Sequence, residues 1–177
     1  MKNSIGKTLP YQSRIRRLVL ATLILIAGAL TRNVHADVSC MPVHGTITSV
    51  RTTQNCTSPI GICTVGTITG AGLLDGTTTF VALDAAPSAG MSALEPSSNL
   101  SYSGQLTIMT TNGMLVTRDL GVLDAVHAAF TEVERPQSGT GVFANPRSND
   151  FFISGLVVDN GQGFQGKLSG MVCVSDR

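Results

Sequence analysis

Past an apolar run at Leu18–Leu30, the chain changes character. Short runs of strand-forming residues alternate with turn residues at close intervals, in a stretch rich in Thr, Val, Ser and Gly and poor in Lys and Glu. That is the chemistry of pleated strands and tight turns rather than of helices. The pattern predicts eight strands, near Pro42–Thr52, Gly61–Thr69, Thr77–Ala85, Leu100–Thr111, Met114–Asp124, Ala128–Arg135, Phe151–Asp159 and Phe164–Val174. Asp75-Gly76, Asn112-Gly113 and Asn160-Gly161 are dipeptides that accept positive φ, as tight hairpin turns require. Ala86–Ser98 carries Pro87, Gly90 and Pro96 and reads as a long loop; Gln137–Asn149 reads as a structured connection ending in a short turn. No long-period repeat or coiled-coil heptad interrupts the pattern.

Short antiparallel strands in this number build a sandwich or a closed barrel. Four cysteines tilt the choice. An even count in an exported chain reads as paired disulfides. Cys56–Cys63 would staple one local loop, and Cys40–Cys173 would join the two ends of the strand region. In an up-and-down barrel the first strand pairs with the last, so Cys40 would lie beside Cys173 and lock the seam. Glycines inside the expected strands (Gly45, Gly66, Gly104, Gly121, Gly155, Gly166, Gly170) fit a strongly coiled small barrel. The expected fold is all-β, a single eight-stranded antiparallel β-barrel stabilised by disulfides, with a two-sheet sandwich as the competing architecture.

The first 36 residues read as a separate, removable unit. Arg14, Arg16 and Arg17 precede the apolar run, which spans about 13 residues, short of the roughly 20 that cross a bilayer. Val34 and Ala36 then suit the −3 and −1 positions of a cleavage site, so residues 1–36 are expected to be a signal peptide and 37–177 the barrel. Ile15 before Arg16-Arg17 departs from a twin-arginine signal, and the residues before Cys40 do not form a lipobox. The chain is therefore expected in the periplasm or the medium, with no stable membrane insertion after cleavage. The sequons at Asn55 and Asn99 are read as chance.

Removing that segment takes six basic residues and no acidic one, leaving six Lys and Arg against 11 Asp and Glu, a formal charge of −5. A mildly acidic chain of this kind is not expected to bind nucleic acid, which needs a basic surface. No metal site is expected: there is no Cys-x-x-Cys pair, and His44 and His127 have no ligand-like spacing to any cysteine. No cofactor is expected either. The chain has no Gly-x-Ser-x-Gly elbow, phosphate loop, His-Glu-x-x-His or dinucleotide glycine fingerprint.

Three segments carry a resemblance: Ser101-Tyr102-Ser103-Gly104, Gly113-Met114-Leu115-Val116-Thr117-Arg118-Asp119, and Gly139-Thr140-Gly141-Val142-Phe143. Together they resemble the allene oxide cyclase and dirigent-type barrels, over roughly Leu100 to Cys173. The resemblance implies a calycin-like eight-stranded barrel, similar to small exported bacterial members of that class. The turn Ala144-Asn145-Pro146-Arg147 lacks the glycines of those families, and none of their catalytic residues maps onto this chain. Phe143 is expected to plug one barrel end.

One charged group stands out. Arg118 and Asp119 lie mid-strand among apolar residues, and Glu132 and Glu134 follow in the next strand. Neighbouring strand residues face opposite ways, so only one of Arg118 and Asp119 can face the lumen. A turn centred near Ala125 sets Arg118 opposite Glu132, and Met114, Val116, Leu120 and Val122 share its face, which favours Arg118 inside. Pairing across Asn112-Gly113 instead groups Leu106 and Ile108 with Asp119, which favours Asp119. One register step separates the two answers. The four residues are either a polar cluster in an apolar lumen, fixing one end of a ligand, or a cross-strand ion pair on the outer face. The expected functions follow in order: an exported barrel that holds a small apolar molecule or serves as an interaction module; an isomerase or cyclase of the allene oxide cyclase or dirigent type; and a structural or adhesive sandwich.

Overall fold

The computed structural model describes residues 38–88, 99–146 and 150–175. The segment expected to be a signal peptide lies outside them. Eight strands form one closed barrel in chain order: β1 (Val38–Arg51), β2 (Cys63–Thr69), β3 (Gly76–Pro87), β4 (Asn99–Thr110), β5 (Gly113–Asp124), β6 (Ala129–Gly139), β7 (Phe151–Val158) and β8 (Gly163–Ser175). Every neighbouring pair is antiparallel. The seam runs continuously from Val38↔Ser175 to Val50↔Gly163, which excludes the two-sheet sandwich. Cys40 and Cys173 are direct partners in that seam and are disulfide-bonded; Cys56–Cys63 closes the local loop after β1. Two disulfides suit an oxidising compartment outside the cytoplasm. No helix among the described residues is long and apolar enough to cross a membrane.

Three stretches depart from the sequence reading. First, β3 runs through Ala86 and Pro87, which pair with Ser101 and Leu100, so the expected loop begins later. Its residues 89–98 lie outside the described residues. Second, β6 continues to Gly139. A bulge at Val116/Thr117 leaves Gln137 without a partner and seats Pro136, which has no N–H to give the ladder, beside it. Third, the turn between β2 and β3 does not use Asp75-Gly76. Its positive φ angles fall at Gly70 and Gly72, around a 3-10 turn at Gly72–Leu74. Asp75 instead accepts the Ala71 N–H through its carboxylate. In the other two turns the dipeptides do supply positive φ, at Gly113 and at Asn160 and Gly161.

Strand alternation sorts the residues onto two faces. Val43, Ile68, Leu74, Ile108, Leu115, Phe143, Phe151 and Val172 are fully buried and fill one end of the lumen. Phe143 seats there on the 3-10 turn Gly141–Phe143, tied to the β4–β5 hairpin by the Val142 N–H to the Asn112 carbonyl. All seven strand glycines named above fall on the inward parity of their strands, between residues such as Val43 and Ile47 or Leu168 and Val172. An inward glycine takes no lumen volume, so the barrel's inner wall alternates large apolar side chains with gaps.

Candidate functional site

The opposite end of the barrel is not filled. A cavity of about 670 Å³ opens among Arg51, Ile60, Ala125 and Asn160, all exposed at the ends of strands or in loops. Its walls are mostly apolar, with Ile47, Phe80, Leu106, Ile153 and an edge-to-face pair, Phe130 and Phe164, whose ring centroids lie 6.1 Å apart. Volume and lining fall in the ordinary range of small-molecule pockets. Tyr102 and Glu132 form a polar pair in the wall, where Tyr102 Oη donates to Glu132 Oε2 over 2.8 Å.

The register explains how that pair meets. Tyr102 on β4 and Glu132 on β6 both partner Gly121 on β5. A side chain at Gly121 would strike the Tyr102 ring, its ideal Cβ lying 2.3 Å from Cζ. The missing side chain lets the phenol lie across β5 and reach Glu132 from two strands away. The next inward row repeats the device: Gly104 (β4), Asp119 (β5) and Glu134 (β6) are aligned. Asp119 Oδ1 fills the space where a side chain on Gly104 would be, 2.6 Å from that ideal Cβ.

Asp119, Glu132 and Glu134 therefore all face the lumen, and Arg118 does not join them. Arg118 is exposed and faces outward opposite Arg135, while Glu132 lies opposite Gly121. The pairing of Arg118 with Glu132 fails because the β5–β6 turn is not centred near Ala125. It is a four-residue loop, Ala125–Ala128, closed by Asp124↔Ala129. Asp124 Oδ1 accepts the N–H groups of Val126 and His127, and Ala128 turns the chain at φ 53°. His127 Nδ1 also lies 2.7 Å from Asp124 Oδ2, in an exposed pair that holds the turn and lies outside the cavity lining. This shifts the pairing by an odd number of residues and exchanges the two faces. The β4–β5 hairpin, which grouped Asp119 with Leu106 and Ile108, had the parity right. The outer-face ion pair is absent, and Leu120 and Val122, which shared Arg118's face, are exposed on the outside of the barrel.

Among the described residues, no basic side chain is paired with the acids. Asp119 and Glu134 are completely buried. Neither oxygen of Asp119 nor Oε1 of Glu134 has a hydrogen-bond partner. Burial accordingly lifts the Asp119 carboxyl to about 7. The amides of Gly104 and of Asp119 itself, which lie close without meeting hydrogen-bond geometry, and the Arg118 charge behind the strand only temper the rise. Burial raises Glu132 as well, and the Asp119 charge adds to it against the Tyr102 hydrogen bond. Glu134 is raised well above the usual range by burial, then by Glu132 and Asp119. The Tyr102 phenol, buried and facing Glu132, is pushed far up.

Hydrogen-bond chemistry gives the same answer for Glu134 without electrostatics. Thr117 Oγ1 contacts both the Leu106 carbonyl, at 3.2 Å, and Glu134 Oε2. A hydroxyl has one proton and a carbonyl can only accept. With Glu134 as the neutral acid, both contacts are full hydrogen bonds, Thr117 donating to Leu106 and Glu134 to Thr117; with Glu134 ionised, the one hydroxyl proton is shared between two acceptors. The cluster is thus a set of carboxylic acids in a low-dielectric lumen, with Glu132 and Tyr102 at the cavity wall and Asp119 and Glu134 behind them. Among the described residues, no three His, Cys, Asp or Glu side chains converge to hold a metal ion.

Sequence reasoning named the three acids but missed Tyr102 and Thr117, whose roles arise from cross-strand rows. The tyrosine's one sequence signal was its place two residues before Gly104, on the same face. No protein-family model, curated protein or solved structure is significantly similar to this chain, so the site is read from its own geometry.

Proposed function

We propose that the barrel binds a small, mostly apolar molecule, taken in at the Arg51–Asn160 end and oriented by Tyr102 and Glu132. The observation that carries this is the cavity: about 670 Å³, apolar in most of its wall, with the hydrogen-bonded Tyr102–Glu132 pair set in it. The resemblance of Leu100–Cys173 to calycin-like barrels of the allene oxide cyclase and dirigent type supports the same reading. The test is to weigh the natively purified protein with and without denaturation. A small-molecule mass lost on denaturation is expected, and Leu100→Trp, which places an indole in the cavity wall, is expected to abolish it. A protein that carries nothing and retains no apolar dye overturns the reading.

A second reading is an isomerase or cyclase that steers a reactive molecule in the lumen. It rests on Glu132, a raised carboxylic acid at the wall of an apolar cavity and so able to deliver a proton there. Under this reading, Glu132→Gln stops turnover of a bound molecule without releasing it.

A further inference from the structure

The hydrogen-bond inventory of the acid cluster is one-sided. Both Asp119 oxygens and Glu134 Oε1 are unpaired, and the Tyr102 hydroxyl is already given to Glu132, so an acid that ionises here has no free donor to meet its charge. The charge inventory is one-sided too. Lumen-facing Tyr102 (β4), Asp119 (β5), Glu132 and Glu134 (β6) are all acidic groups, and β7 and β8 present Phe151, Ile153 and Leu168 against them. Arg51 and Asp159 line the cavity only toward its mouth. Arg118, Arg135 and Lys167 face out of the barrel. A carboxylate head would set another negative charge against the acids, with no basic side chain paired to them among the described residues. A head that brought N–H donors and a positive charge would offset the charge of Glu132 as it ionises.

We propose that the ligand is an apolar amine, its ammonium seated against Glu132 and Tyr102, with Asp119 adding negative potential from behind the wall as it ionises. This rests on the cavity reading above and specifies the ligand class for it. The empty cluster holds its protons near neutral pH, so an incoming ammonium shifts Glu132, and through it Asp119, toward the ionised form. Binding therefore releases protons to the buffer. Amine affinity rises with pH from about 6 to about 8, as Asp119 and then Glu132 begin to ionise while an alkylammonium keeps its charge.

The test uses three probes of one chain length, octylamine, octanol and octanoic acid. Titration calorimetry of each into the disulfide-bonded protein is run at pH 8 in buffers of different ionisation enthalpy. Octylamine is expected to bind about tenfold or more tighter than octanol, with proton release visible as a buffer-dependent enthalpy. Octanoic acid is expected to bind more weakly than either. Glu132→Gln, which keeps the side-chain shape, is expected to erase the amine preference while octanol still binds. Proton release from the unmodified protein serves as an independent readout should that variant fold poorly. Equal binding of amine and alcohol with no proton release overturns the amine assignment and leaves the cavity reading standing. Binding of none of the three overturns both.

Discussion

Thr117 shows how much one hydroxyl decides. With one proton and two acceptor-side contacts, it favours the neutral acid at Glu134, which burial already raises. Asp119 has no such relay, and burial is the largest influence on it, tempered by nearby amides and the Arg118 charge. Its carboxyl rises from near 4 to about 7, so the folded protein holds a proton that the unfolded chain releases. The stabilisation from that proton is complete below the unfolded value near 4 and is lost as pH rises through about 7. The full swing corresponds to on the order of 4 kcal/mol for a shift of this size. Urea midpoints are therefore expected to fall between pH 5 and pH 8, and Asp119→Asn is expected to flatten that fall by raising the midpoint at pH 8. An unchanged pH slope in the variant would mean that Asp119 is ionised throughout.

At the scale of elements, register between strands does what no single residue can. Gly121 sits between Tyr102 and Glu132, and its lack of a side chain is what lets them bond across it. Gly121→Ala is expected to push the phenol off its seat, at a cost of about 1–3 kcal/mol. Because the nearest atoms belong to the end of the Tyr102 side chain, the ring can swing away and the strand survives. The change should appear as altered near-UV dichroism of the tyrosine with unchanged far-UV signal. A ring signal unaffected by the added methyl would show that the phenol does not lie over β5. The same β5–β6 pair explains why the sequence left Arg118 and Asp119 undecided. Both strands were legible to within a few residues, but their relative phase depended on a four-residue loop closed by the Asp124 side chain and on Ala128 at positive φ. Asp124 is an ordinary turn former, but Ala128 gives no sign of positive φ, so the sequence did not mark where the loop ends. An apolar outer face at Leu120 and Val122 then imitated a core-facing stripe.

Across the whole molecule, closure of the barrel depends on β1 meeting β8, strands at opposite ends of the chain. The Cys40–Cys173 bond spans 133 residues there, whereas Cys56–Cys63 spans 7. In the chain-entropy account the long crosslink contributes roughly 4–5 kcal/mol and the short one about 2–3 kcal/mol. Replacing Cys40 and Cys173 together by Ala is expected to lower the denaturation midpoint clearly more than replacing Cys56 and Cys63. Equal losses would place the contribution in local packing instead.

Period, composition and cysteine placement by themselves determined an all-β chain of eight strands, the disulfide across the seam and the acids able to form a polar cluster. These follow from local rules: which residues suit a pleat, which accept a turn, and which thiols an up-and-down order brings together. Only the tertiary structure decided which face each acid occupies, because one face differs from the other by a single register step and the loop that sets the step is read from side-chain hydrogen bonds. Only it showed that inward glycines open room for Tyr102 and Asp119, since that room lies between strands. And only it showed a lumen packed at one end and open at the other, because the volume left over depends on how eight strands share one interior.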